Sequence, residues 1–492
     1  MSIIDWLVTL IPFSLILIMA VRSGRYVRGV ADFLAAGRCA GRYVMCVGDL
    51  TAGLSVITLV AMVEANYQVG CALSFWNFFN VLAGIATTLT GYCVYRYRAT
   101  RALSFGQFLE MRYNRTVRIV AAIIRNVAEM ITNAIGPAIA AGFFVYFLGL
   151  SRYVNILGFQ ISTVGIIVAI CLFLAMLCIW PGGRVSLLLT DCAQGIMTYP
   201  IFVIISVFIL CKFSWFEEIA PVMMDRVDGE SFLNPFDIEN LREFNLFSTT
   251  VAVFGNILNR AAWFGNDTTN SGRTPHEQKM AGILGYWRNG FSYIMMTLVA
   301  LMIITYMNHK DFSQDSYEVR NALSANVTEE LIPDRELQEK INTTIAAIPP
   351  HTHTIGVDAP LSQASNLDTP YYDTFRNLLT ELPEDHELYE QRFKLSQRYR
   401  STYNQMMTPV VLRKLFPVGL GGLFCLLMLM LLISTDDSRI FNASSTLVQD
   451  CIMPFVKKPW TTKQHIMWLR LASVAVALFF FVVAIFFQNL DF

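Results

Sequence analysis

The sequence predicts an all-α, polytopic membrane protein, and three observations carry that expectation. Of the 492 residues, 54% are hydrophobic and only 15% are charged, too little charge to solvate a water-soluble chain of this size. Apolar runs of about 20 residues, the length that crosses a bilayer as a helix, recur along the chain. Basic residues gather in alternate connections between those runs, the pattern that orients a multi-spanning chain. Lys plus Arg and Asp plus Glu both total 37, so no charge excess points to nucleic acid.

Ten cysteines are scattered through the chain. Cys71, Cys93, Cys171, Cys178 and Cys425 lie in apolar segments, and none lies in the polar stretch 308–410. No Cys-x-x-Cys pair or Cys/His cluster predicts zinc or a disulfide framework, so they read as small buried hydrophobes. The first apolar run begins at Ile3 without a basic leader or a small-residue cleavage site. It reads as a retained helix. His-Glu-x-x-His, Gly-x-Ser-x-Gly and phosphate-loop motifs are absent from the sequence, and the chain reads as a non-enzyme.

The apolar runs predict ten segments, at 3–21, 43–66, 71–97, 117–148, 153–179, 184–213, 245–266, 282–307, 411–436 and 465–488. The connection after the first holds Arg22, Arg25, Arg28, Arg38 and Arg42; that after the third holds Arg96, Arg98, Arg101, Arg112, Arg115 and Arg118. Both are expected in the cytoplasm, with Arg273, Lys279, Lys457 and Lys458 on the same side. The N-terminus, the acidic connection 214–244 and the long connection 308–410 then fall outside. This last stretch reads as a cap over an external vestibule or as a solvated insertion. Its segments 329–346 and 383–406 have helical composition, and its sequons at Asn326 and Asn342 carry little weight alone.

Two of the ten segments are unusual. Gly48, Asp49, Thr51, Gly53, Ser55 and Thr58 interrupt the second, and Gly255, Asn256, Asn259, Arg260, Gly265 and Asn266 interrupt the seventh. Small and polar residues at membrane depth fit an unwound helix lining a cavity, or close helix packing. If each interrupted segment opens a five-helix unit, the odd number inverts one unit relative to the other. Paired interrupted helices in two such halves point to a transporter site. A further anomaly lies at Leu431–Asp450, where Ser434, Thr435, Asp436, Asp437, Ser438 and Arg439 continue an apolar run. Carboxylates at that depth are expensive and mark ion or substrate pathways.

Four motifs carry a resemblance to a known family. They are Asp32-Phe-Leu-Ala-Ala-Gly-Arg, Phe108-Leu-Glu-Met-Arg-Tyr, Gly182-Gly-Arg-Val-Ser-Leu-Leu-Leu-Thr-Asp-Cys-Ala-Gln, and Ser434-Thr-Asp-Asp-Ser with Ser444, Ser445 and Asp450. In order and spacing they resemble the sodium:solute symporter family, which includes proline, sodium/sugar and sodium/iodide symporters. The resemblance covers most of 31–488, and Arg184, Ser186 and Asp436 depart from the family pattern. It implies a LeuT-like five-plus-five inverted repeat preceded by one extra N-terminal helix. The implied divisions are 1–30 for that helix and its basic loop, 31–213 for core helices one to five, 214–244 for an external loop, 245–307 for core helices six and seven, 308–410 for the long loop, and 411–492 for core helices eight and nine. The sequence given ends at Phe492, one helix after the eighth core helix, so the second repeat is expected to be incomplete. A divergent bacterial, multi-pass inner-membrane protein is implied.

The resemblance also implies a site. Ser434 and Thr435 match hydroxyl ligands of sodium, and Leu431, Thr51 and Leu54 match positions giving backbone carbonyls. Sodium, a hard cation, takes such oxygens. The bland alternative is that Ser434 and Thr435 bond back to their own helix. Asp191 and Asp437 are candidates for a second cation, or Asp191 shapes the inner exit; Asp436 and Arg439, three apart on one helix, are expected to pair. Substrate candidates are Thr58, Glu64, Asn66, Trp76, Asn77, Asn80, Asn256, Asn259 and Trp263, with Tyr67 and Trp76 as an external gate. The expected function is sodium-coupled symport of a small polar organic solute such as a sugar, sugar acid or amino acid. Sodium is the coupling ion, with no other metal and no cofactor. The rival is a membrane sensor or scaffold on the same fold.

Overall fold

The computed structural model describes residues 1–156, 159–241, 245–261, 271–384, 386 and 388–489, with backbone only at 49–53, 156, 159, 259–261 and 487–489. Helix α1 (Ile3–Ser23) starts in a reciprocal cap. Asp5 N donates to Ser2 Oγ, and Ser2 N donates to the Asp5 carboxylate, satisfying amides that a helix start leaves open. After α2 (Val30–Ala35), the second apolar segment divides into α3 (Arg42–Gly53) and α4 (Val56–Val69). Ser55 makes the division: its extended backbone ends one helix, and its Oγ accepts Thr58 N at 3.1 Å to cap the next. The interruption expected in this segment is therefore present, at Leu54 and Ser55.

The third segment is α5 (Cys71–Thr90) and α6 (Tyr92–Ala99), separated at Gly91. Then follow α7 (Phe105–Arg112), α8 (Arg115–Ala134) and α9 (Gly136–Leu148). A hairpin of β1 (Tyr153–Ile156) and β2 (Phe159–Ser162), antiparallel with Tyr153 opposite Ser162, replaces the first ten residues of the predicted fifth span. Its β-branched and aromatic residues suit strands. The span itself is α10 (Thr163–Gly182), followed by α11 (Arg184–Lys212). Gly183 joins them at φ +51°, where an added Cβ would lie 2.6 Å from Phe33 O.

Beyond α12 (Ala220–Met224), helix α13 (Leu246–Ala261) runs unbroken through Gly255 and Asn256. The interruption expected there does not occur at those two positions, because each remains within the helical ladder. Trp263, Gly265 and Asn266 lie outside the described residues. Next come α14 (Pro275–Asn308), α15 (Ser313–Leu331), α16 (Arg335–Ala346), α17 (Thr369–Thr380) and α18 (Arg392–Leu415), then α19 (Leu420–Thr446) and α20 (Thr462–Asn489). The ninth segment begins later than 411, because Pro417 and Gly419 (φ +92°) separate α18 from α19. Among the described residues, eight helices are long and apolar enough to cross a membrane. Val56–Val69 and Leu246–Leu258, from the two segments read as interrupted, are apolar but shorter.

The 308–410 stretch, called the cap below, folds into packed helices with a core of its own. Helices α15 to α18 bury Leu323, Val327, Ile341, Phe375 and Tyr399, and the Phe375 and Tyr399 rings stack at 3.9 Å. Arg320 and Asp368 form an ion pair of 2.7 Å with both side chains almost fully buried. The Arg320 guanidinium also donates to Ser316 Oγ and Met307 O. The acidic 214–244 connection docks on the cap: Val227 N donates to Leu361 O, Leu361 N to Asp225 O, and His353 bonds Asp225 at 2.6 Å.

The two ends of the molecule are distinct. Asp5 Oδ1 accepts Gly419 N at 2.7 Å and Gly422 N at 3.0 Å, so the N-terminus shares an end with the cap. Residues of the basic connections meet each other away from it: Ala40 N bonds Ser271 O, Arg98 donates to Gly272 O, and Arg38 donates to Arg101 O.

Removing one partner of a buried ion pair strands the other. Asp368→Ala is expected to destabilise the cap by about 3–5 kcal/mol. Hydrogen exchange of α15 and α17 reads this directly; unchanged protection would show that the pair does not hold the cap.

Candidate functional site

The site is built on α19. Its span is the most completely buried of the eight, with 83% of its most apolar stretch inside the protein. It packs against α1, α3, α10, α11 and α20. The polar run is therefore enclosed by helices: Ser434, Thr435, Asp436 and Asp437 are all buried. In such surroundings each oxygen needs a partner, since an unmatched polar group costs about 1–3 kcal/mol and an unmatched charge more.

Ser434 meets that need across helices. Its Oγ donates to Asp191 Oδ1 on α11 at 2.9 Å. Thr435 does so locally: its Oγ1 donates to Leu431 O, one turn back, at 2.7 Å. The two adjacent hydroxyls thus behave differently, and only Thr435 follows the back-bonding alternative. Asp437 Oδ1 and Oδ2 are both buried without a hydrogen-bond partner, and its carboxylate interacts electrostatically with Asp191, Asp436 and Arg184. Gln194, one turn beyond Asp191, buries both amide atoms without a hydrogen bond.

Glycines bring α3 to this cluster. A Cβ on Gly195 of α11 would lie 2.6 Å from Val47 O, and one on Gly48 would lie 3.3 Å from Asp191 Cβ. Small residues facing each other let the two backbones approach. The break between α3 and α4 begins six residues after Gly48, at Leu54, which is buried. The described backbone of Thr51 belongs to α3. Leu431, Ser434, Thr435, Asp437 and Asp191 thus gather around the contact of α19 with α11, and α3 packs on both helices.

The expected pairing of Asp436 with Arg439 is not formed as an ion pair. Asp436 Oδ2 is buried without a hydrogen bond. Arg439 Nη1 instead reaches Gly136, standing 2.8 Å from where a Cβ would be. The missing side chain at the α8–α9 corner leaves room for the guanidinium, and the two charges interact only at longer range.

The substrate candidates are more dispersed. Thr58 Oγ1 bonds Ser55 Oγ at 2.9 Å at the head of α4. Asn66 donates to Met62 O and accepts Ser74 Oγ, both at 2.7 Å, and Ser74 meets Thr297 of α14. It knits α4, α5 and α14 together. Trp76 Nε1 donates to Pro235 O at 2.9 Å inside a cluster with Phe75, Phe79 and Phe236. Asn77 lines a largely apolar groove between α5 and α14 and accepts a long 3.4 Å bond from Asn80. Glu64 is half-buried on α4, and Asn256 lies on α13. The Asn259 side chain and all of Trp263 lie outside the described residues. Tyr67 OH donates to Asp368 Oδ2 at 2.7 Å, so both gate candidates are tied to segments at the cap end.

No protein-family model matches this sequence, and no curated protein matches it. Among solved structures, a sodium-coupled sialic acid symporter in a substrate-bound, outward-open state is similar over 99% of this chain and 82% of that one. The TM-score is 0.69 at 14% sequence identity. The chain has a LeuT-like inverted-repeat fold.

Within this fold, a second polar cluster, half-buried, lies past the C-terminal end of α19. Arg118 of α8 bridges Glu110 of α7 at 2.5 Å and Asp450, just past α19, at 2.9 Å; Ser104 Oγ also donates to Asp450. Glu110 and Asp450 stand in two of the motifs quoted above, which was the available signal, but their meeting through Arg118 depends on packing. Among the described residues no group of three or more His, Cys, Asp or Glu side chains is arranged to hold a metal.

Asp437 holds a buried carboxylate beside those of Asp191 and Asp436, so Asp437→Asn is expected to stabilise the sodium-free protein by about 1–3 kcal/mol. Thermal unfolding in a sodium-free detergent buffer measures it. A lowered Tm would contradict this reading of the cluster.

Proposed function

We propose that the protein is a sodium-coupled secondary symporter that moves a small polar organic solute by alternating access. The observation that carries the reading is the Ser434–Asp191 contact beside the unpartnered carboxylate of Asp437, within a fold shared with a sodium-coupled transporter. These groups are oxygen donors of the kind a hard cation takes.

Sodium would be held by the Ser434 and Thr435 hydroxyls with the carbonyls of Leu431, Thr51 and Leu54. Thr435 Oγ1 and Leu431 O already adjoin at 2.7 Å. Rotating the hydroxyl proton away frees both oxygens for one cation. Ser434 would exchange its proton donation to Asp191 for coordination, leaving Asp191 charged beside the ion. Asp191 and Asp437 together would hold a second cation, matching two buried carboxylates that face each other's charge inside the bundle. The unwound backbone at Leu54 and Ser55 supplies carbonyls that a continuous helix would use internally.

The solute would bind near the same break, drawing on Thr58, Glu64, Asn66, Asn77, Asn80 and Asn256, with Tyr67 and Trp76 at the cap end. Its class includes sugars, amino acids and sugar acids; the similar structure's sialic acid belongs to the last. The basic end faces the cytoplasm and the cap faces outward, following the distribution of Arg and Lys. Sodium and solute then each tighten the other by the same factor.

A sodium titration of thermal stability, with choline as the control cation, tests the ion assignment. The parent is expected to gain stability saturably. The Ser434→Ala/Thr435→Ala variant is expected to lose at least tenfold in apparent sodium affinity, and equal shifts in the two would sink the assignment. Uptake into proteoliposomes under an imposed sodium gradient, across a panel of sugars, amino acids and sugar acids, tests transport.

A further inference from the structure

A small polar cavity of about 40 Å³ lies where the cap, the 214–244 connection and the outer end of α4 meet. Tyr67 and Gln68 of α4, Arg226 of the connection, and Asp368, Arg400 and Asn404 of the cap line it. That volume holds about three waters or one small ion. It lies apart from the α19 cluster, and of its lining the transport reading uses Tyr67 alone.

The charges around it are unevenly matched. Asp368 is committed, with Oδ1 on Arg320 and Oδ2 on Tyr67 OH, each at 2.7 Å. Asp225 is held by His353 and Glu230 by Gln363 N, both at 2.6 Å. Arg226 has no ion-pair partner among the described contacts; its guanidinium lies over the Phe232 ring at 3.7 Å, and its Nε is buried without a hydrogen bond. Burial pushes Arg226 down to about 10, against the opposing pull of Tyr67, Asp225, Glu230 and Asp368. Arg400 lies over Tyr372 at 5.7 Å and likewise makes no described ion pair. Asn404 Oδ1 accepts Tyr372 OH at 2.8 Å, which leaves its amide hydrogens to donate.

We propose that this cavity binds a small monovalent anion, a halide ion or the carboxylate head of an organic acid, between Arg226 and Arg400. Two guanidiniums and the Asn404 amide supply donors, and every nearby carboxylate already has its own partner. A charge-assisted contact of this kind is stronger than one between neutral groups. The bound anion would bridge α18 to the 214–244 connection, next to the Tyr67–Asp368 bond that ties the cap to α4. The cap would thereby be stiffened over the outer end of the interrupted helix. This proposal does not depend on the sodium assignment.

The test uses the full chain in detergent, at fixed sodium and constant ionic strength with methanesulfonate as the background anion. Sodium chloride and sodium acetate are titrated separately while Tm is read. A saturable rise is expected, with apparent affinity at least tenfold weaker in Arg226→Gln and in Arg400→Gln. Arg400 is exposed, so its variant keeps the test open should Arg226→Gln fail to fold. A response to chloride alone identifies a halide site, and a response to acetate a carboxylate site. No saturable response to either anion, or unchanged affinity in the folded variants, overturns the proposal.

Discussion

The hydrogen bond from Ser434 to Asp191 joins two helices in the most enclosed part of the molecule. In that interior a carboxylate cannot be left to water, so its position constrains everything packed around it. Asp191 fixes the face α11 turns to α19. Gly48 and Gly195 let α3, which ends at the Leu54–Ser55 break, close on α11. Asp437 adds a second carboxylate whose oxygens find no hydrogen bond. A fold that only needed stability would favour apolar residues at these positions. The retained oxygens are what the proposed cation-coupled cycle would use.

The same helices extend this constraint to both ends. Toward the cap, α4 continues from the break to Tyr67, whose hydroxyl reaches Asp368 in the buried pair with Arg320. Toward the other end, α19 continues to Asp450, which Arg118 ties to Glu110. Each end is closed by a carboxylate bridging elements distant in sequence. In the proposed transport cycle, exchanging such contacts at one end for those at the other would convert a local ion into a change of access.

Much of this was legible in local sequence, and the failures have physical causes. The spans follow from apolar length, and the break in the second segment follows from Gly53 and the capping Ser55. The polar run on α19 was visible as an anomaly. The hairpin at 153–162 was read as membrane helix because an apolar run of β-branched and aromatic residues fits either period. The α13 interruption is expected from Gly255, Asn256, Asn259, Arg260, Gly265 and Asn266, yet the helix carries the first two in its ladder, with open space around Gly255. The Arg439 side chain left Asp436 for space beside Gly136, a vacancy no spacing rule contains. The cap's core was hidden for the same reason: Asp368 meets Arg320 48 residues away and Tyr67 301 residues away. Even the Ser434–Asp191 bond spans 243 residues, so the sequence motifs marked both groups without showing that they touch.

The most direct measurement is equilibrium binding of radiolabelled sodium to the purified protein, with choline replacing sodium in the control. Saturable binding is expected in the parent, displaced by unlabelled sodium, and weakened at least tenfold by Asp191→Asn while Glu110→Gln at the far end leaves it unchanged. Absence of saturable binding, or full affinity in Asp191→Asn, would contradict a coupling-ion site at the contact of α11 with α19.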